Sequence, residues 1–127
     1  AITGKKPWEI YRIDLALMTA PGFVAEHPDT LDKAVELRLK NPQPFHAFVR
    51  QFTAAGLFDS NERVQKINHP TLIVLGREDP IFPIALAEDF RQKMPQAKIV
   101  IYENCGHAIH LEKPDRLSND IREFLKS

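Results

Sequence analysis

The sequence predicts an α/β chain in two parts: a helical first half, then a β-α-β-α second half with two parallel strands. Three observations carry this. Thr71-Leu72-Ile73-Val74-Leu75 and Lys98-Ile99-Val100-Ile101-Tyr102 are short apolar runs rich in β-branched residues, the pattern of strands buried on both faces. The segment between them has the length of a crossover helix with its loops, and such βαβ crossovers are right-handed in nearly all proteins. Residues 7–67 instead carry apolar residues at helical spacing, punctuated by prolines, with no strand-like run.

Each element has its own local reason. Pro7 suits the first turn of a helix reaching Met18, with Trp8, Ile10, Tyr11, Ile13, Leu15 and Leu17 as its apolar surface. Thr19-Ala20-Pro21-Gly22 breaks it, and a short helical turn through Phe23 and Val24 ends at His27-Pro28. Asp29 or Thr30 caps an amphipathic helix carrying Leu31, Ala34, Val35 and Leu37 to Lys40, where Asn41-Pro42 stops it. A third helix spans Pro44 to Ala55, with Phe45, Phe48, Val49 and Phe52 at helical spacing, and Gly56 terminates it. Asp59-Ser60 opens a turn containing Val64 and Ile67. The first strand is Thr71 to Leu75. After the loop from Gly76 to Pro83, a helix starts at Pro83 or Ile84 and runs to Met94. Pro95-Gln96-Ala97 connects it to the second strand, Lys98 to Tyr102. Pro114 begins a final amphipathic helix with Leu117, Ile121, Phe124 and Leu125.

The 127 residues suit one modest domain. Lys+Arg and Asp+Glu balance at 17 each, so no charge argument favours nucleic acid or an anionic membrane as partner. No apolar run approaches the ~20 residues of a membrane span. The single cysteine, Cys105, excludes an internal disulfide and a multi-cysteine metal centre, and fits a reducing, cytoplasmic compartment. The segment from Ala1 to Pro7 has neither a signal peptide's apolar core nor an initiator Met, so the chain is expected to be processed or cut from something longer.

Parallel strands joined by a helix bring the loops after both strands to one sheet edge, where α/β proteins build their sites. The first loop holds Asp79, in Gly76-Arg77-Glu78-Asp79-Pro80; the second holds His107, in Asn104-Cys105-Gly106-His107. Singly, an Asp before Pro is ordinary turn chemistry and a loop histidine is an ordinary loop histidine. Together they are two of the three groups of a nucleophilic triad, in which a carboxylate fixes the tautomer of a general-base histidine and stabilises its protonated form. The third group is missing: Ser60, Ser118 and Ser127 sit in no Gly-x-Ser-x-Gly elbow. Cys105 lies two residues from His107 but is a poor replacement, since no helix follows it directly to activate a thiolate. His107, His110 and Glu112 cluster without a second group at ligand spacing, so no metal is expected, and Glu112 reads as a favourable charge near the final helix start. Arg77 and Glu78 read as solvated loop charges, with substrate contact an alternative for Arg77. Trp8, Phe23, Phe45, Phe48 and Phe52 have two readings, acyl-pocket lining and helix packing.

From Asn68 to Ser127 the chain resembles the C-terminal end of a cap-bearing α/β-hydrolase. The matching pieces, in order, are Ile67-Asn68-His69-Pro70-Thr71-Leu72-Ile73-Val74, Gly76-Arg77-Glu78-Asp79-Pro80-Ile81-Phe82-Pro83, Met94-Pro95-Gln96-Ala97-Lys98 and Cys105-Gly106-His107-Ala108-Ile109-His110-Leu111-Glu112-Lys113-Pro114. The resemblance implies a helical cap-like segment over 1–67 and the β-α-β-α end of the hydrolase core over 68–127. It implies Asp79 as triad acid, His107 as triad base, no cofactor, and a parent acting on a small ester, lactone or activated carbon–carbon bond. In that family the nucleophile and the oxyanion-hole loop lie upstream of the cap, so the chain is expected to be a truncated hydrolase, inactive alone. Two other readings stand beside it: a haloalkane-dehalogenase-like relative whose absent nucleophile is an aspartate, and a non-catalytic binding or assembly module. Because the Thr71 strand lacks its upstream neighbour, the chain is expected to self-associate, as a dimer, or to stay bound to an N-terminal fragment of the same protein.

Overall fold

Strands β1 (Leu72–Gly76) and β2 (Lys98–Tyr102) pair in parallel, with Leu72 opposite Lys98 and Gly76 opposite Tyr102. That register leaves both C-terminal ends level, so the loops after them start side by side. This computed structural model describes residues 4–127. Before the strands come α1 (Pro7–Met18), α2 (Phe23–Glu26), α3 (Pro28–Lys40), α4 (Phe45–Leu57) and a 3₁₀ turn (Val64–Lys66). Between and after them lie α5 (Leu86–Lys93), α6 (Ile109–Glu112) and α7 (Pro114–Phe124). Among the described residues the sheet has two strands, and no helix is long and apolar enough to cross a membrane.

The structure corrects several local expectations. The middle of β1 is half-buried; only Leu75 and Gly76 are enclosed, because a two-stranded sheet offers few neighbours to cover its faces. Helix α3 begins at Pro28, whose fixed φ suits a first turn, rather than after a cap at Asp29 or Thr30. Gly56 lies inside α4 with no left-handed twist, and the helix ends where Phe58 turns extended. Pro83 to Ala85 forms a turn of short-range bonds, Leu86 N–H to Pro83 O and Ala87 N–H to Ile84 O, so α5 starts later than its prolines suggest. Helix α6 was unforeseen, being four residues long and too short to show a period.

The core of the helical half is Leu15, Leu31 and Val35, packed with Tyr11, Val24, Ala34 and, from α6, Leu111. Leu111 thus seats the segment after β2 on the first helices. Helix α4 buries none of its residues: Phe45 is 79% and Phe52 71% exposed. Phe45 and Phe48 line a cavity of about 510 Å³ with Ile10, Tyr11, Leu17 and Arg38. Phe23 instead stands against the ring of His27, 4.6 Å between centroids.

Candidate active site

The two loops after the strands are joined backbone to backbone. Arg77 N–H donates to Tyr102 O at 3.0 Å and Glu78 N–H to Cys105 O at 3.0 Å. Cys105 N–H donates back to Glu78 Oε2 at 2.8 Å. Asn104, at φ 51°, makes the left-handed turn that starts the second loop, a conformation Asn tolerates better than most residues. Gly76 permits the approach: a Cβ there would lie 2.2 Å from Gly106 O and 2.4 Å from Cys105 O. Gly76→Ala should therefore destabilise the fold at the upper end of the ~1–3 kcal/mol typical of overpacking, lowering Tm by about 10 °C in a thermal melt. Gly56→Ala, with nothing within 4 Å of the added carbon, should stabilise helix α4 slightly in the same melt.

This junction holds Asp79 against His107. Asp79 Oδ1 accepts the N–H groups of Ile81 (2.7 Å) and Phe82 (2.9 Å), which fixes the plane of the carboxylate. Its Oδ2 faces His107 Nδ1 at 3.0 Å. The Asp79 side chain is 4% exposed and that of His107 30%, so the carboxylate is sealed while the ring still reaches solvent. The Phe82 ring stands 5.4 Å from the imidazole. Burial pushes the Asp79 carboxyl up, but the bonds from Phe82, His107 and Ile81 together outweigh it, leaving it below its ordinary value and charged at neutral pH. With Nδ1–H donated to a carboxylate, the neutral imidazole keeps its lone pair on Nε2, where a general base needs it.

The other sequence candidates fall elsewhere. The Cys105 thiol is fully enclosed, and burial, with the Glu112 carboxylate second, pushes it up to about 11, so it stays protonated and inert. Among the described residues no three of His, Cys, Asp and Glu converge as a metal site would require; His110 is exposed. Arg77 pairs with Glu103 at 2.5 Å on the surface. One reading is corrected: Glu78 is a half-buried clamp on the Cys105 N–H rather than a solvated charge. Glu112 closes α6 just before the final helix and is buried, its carboxylate accepting the N–H groups of Gly106 and Ala20. Backbone N–H groups recur at every residue but proline, so nothing in the sequence marked either role.

A family model for the alpha/beta hydrolase fold matches residues 19–114. The monoacylglycerol lipase abhd6-A of Xenopus laevis is 27% identical over 130 residues, covering 90% of this chain and 39% of that protein. A thermophilic esterase from Thermogutta terrifontis superposes with a TM-score of 0.79 at 25% identity, over 98% of this chain and 46% of that one. The enol-lactonase from Burkholderia xenovorans LB400 superposes with a TM-score of 0.83 over the same shares at 15% identity, a likeness of fold alone. The chain spans less than half the length of each.

Proposed function

The chain belongs to the alpha/beta hydrolase fold family, and from that premise we propose that Asp79 and His107 are the acid and base of a triad that hydrolyses a small ester or lactone. The observation that carries this is the 3.0 Å contact between Asp79 Oδ2 and His107 Nδ1, with Asp79 buried and charged. Asp79 orients the ring. His107 Nε2 takes the proton of an attacking hydroxyl and later returns it to the leaving alkoxide, and Asp79 stabilises the imidazolium in between. The nucleophile and the oxyanion donors come from a segment outside these 127 residues. In this reading residues 1–67 form the cap side of the site and residues 68–127 the end of the core. The names of the relatives, a lipase and an esterase, favour ester over halide chemistry.

The test is p-nitrophenyl acetate turnover. The isolated 127 residues should give no acyl-enzyme burst, and the whole protein that contains them should turn over and lose activity with His107→Ala. A burst from the isolated chain that vanishes in Cys105→Ala would make Cys105 the nucleophile and overturn this assignment. Labelling of the whole protein by a fluorophosphonate identifies a serine nucleophile; failure to label, with dehalogenation of a haloalkane, would favour an aspartate.

A further inference from the structure

We propose that Glu112 is a positioning residue for His107, fixing the backbone beside the base while Asp79 fixes its ring; this rests on His107 acting as the base. Among the described residues the buried carboxylates are Asp79 and Glu112. Asp79 has the imidazole as its partner. No ion pair among the described residues involves Glu112. A buried carboxylate without a cation is costly unless hydrogen bonds satisfy it. Glu112 meets that condition with backbone donors: Gly106 N–H, at 3.0 Å from Oε1 and 3.1 Å from Oε2, and Ala20 N–H, at 2.9 Å from Oε2. Bonds to an ionised acceptor are stronger and hold their donors more tightly than bonds to a neutral one.

The identity of those donors gives the carboxylate its role. Gly106 immediately precedes His107, and Ala20 lies in the turn between α1 and α2. The end of α1 and this turn meet the His107 loop twice more. Ala108 N–H donates to Met18 O at 2.9 Å, and a Cβ on Gly106 would lie 2.6 Å from Thr19 C and 2.7 Å from Ala20 N. The backbone is therefore tied to Met18–Ala20 on both sides of His107, at Gly106 and at Ala108. Of these ties only the Glu112 carboxylate belongs to a side chain. Without it the buried Gly106 N–H has no acceptor, and the backbone beside the 3.0 Å contact loses one of its ties. The end of α1 and the base are thereby held as one unit.

The test uses the whole protein that contains these residues. Glu112→Gln keeps the volume but points an amide donor at one of the two N–H groups. We expect kcat to fall about 10²-fold, the effect of a ~1 Å misplacement, with KM for p-nitrophenyl acetate unchanged. In ¹⁵N-histidine NMR the hydrogen-bonded Nδ1 proton of His107 should shift or broaden. Met94→Ala, a buried residue at the end of α5, at the opposite end of the strands from the His107 loop, is the control for lost stability alone: Tm falls and the His107 signal of the folded protein stays. If Glu112→Gln behaves like Met94→Ala, its role is structural and the proposal is overturned. Glu112→Asp, which keeps the charge but draws it back by one methylene, gives the same reading if the amide variant does not fold. A signal lost in Asp79→Asn but untouched in Glu112→Gln removes Glu112 and leaves the triad standing. No such signal in the wild type removes the Asp79–His107 pairing and this inference with it.

Discussion

Asp79→Asn is expected to lower kcat of the whole protein about 10⁴-fold, equivalent to ~5 kcal/mol of transition-state stabilisation, with KM nearly unchanged. The geometry specifies why. The N–H groups of Ile81 and Phe82 both point at Oδ1, so an amide at this position must place its oxygen there. Its NH₂ group then faces His107 Nδ1, where the carboxylate had accepted. The imidazole must present a lone pair at Nδ1 and carry its proton on Nε2, the wrong tautomer for a general base. The same variant changes the acid limb of stability. Asp79 sits below its ordinary value in the folded state, so its stabilisation is full above the normal carboxylate pKa and is lost as pH falls through the depressed folded value. Asp79→Asn should flatten that acid loss in urea titrations taken between neutral and strongly acidic pH. A steady-state assay showing less than a tenfold fall in kcat would remove Asp79 from the triad.

Purified alone, the 127 residues are expected to sediment above the 14.5 kDa monomer. The chain exposes 9429 Å², against about 6,900 Å² for a compact monomer of its mass. The excess of roughly 2,500 Å² is of the size that obligate interfaces bury. It has identifiable sources. Phe45, Phe52, Leu57 and Phe58 stand largely in solvent along and just beyond α4. Each strand has one partner among the described residues, which leaves backbone donors and acceptors on the outer edges of β1 and β2 as a template for further pairing. Two parallel strands alone are marginal in water. Sedimentation equilibrium decides the matter: a dimer or larger species is expected, and a monodisperse monomer unfolding cooperatively would overturn it.

The two strands were legible because a β-branched apolar run bounded by turn residues is a local signal, although the first, read as Thr71 to Leu75, lies one residue later at Leu72–Gly76. The Pro7 helix was legible for the same reason, its proline and its apolar spacing lying within one segment. The ends of α3, α4 and α5 were less so, since whether a proline or glycine starts, stops or merely sits within a helix depends on hydrogen bonds that the residue type does not specify. The aromatic residues of α4 read equally as pocket or packing; in the structure they face solvent and the 510 Å³ cavity.

The sequence by itself determined that two parallel strands end together and that Asp79 and His107 stand on the turns after them, because strand period, crossover length and turn chemistry are properties of short segments. The tertiary structure alone decided that the two side chains meet at 3.0 Å, that Cys105 is sealed as a neutral thiol, and that Glu78 and Glu112 hold the loop which carries His107. Those outcomes depend on which backbone N–H a carboxylate meets and on how closely Gly76 and Gly106 let two chains approach. Every residue but proline carries the same N–H, so only the folded path of the chain distinguishes one donor from another.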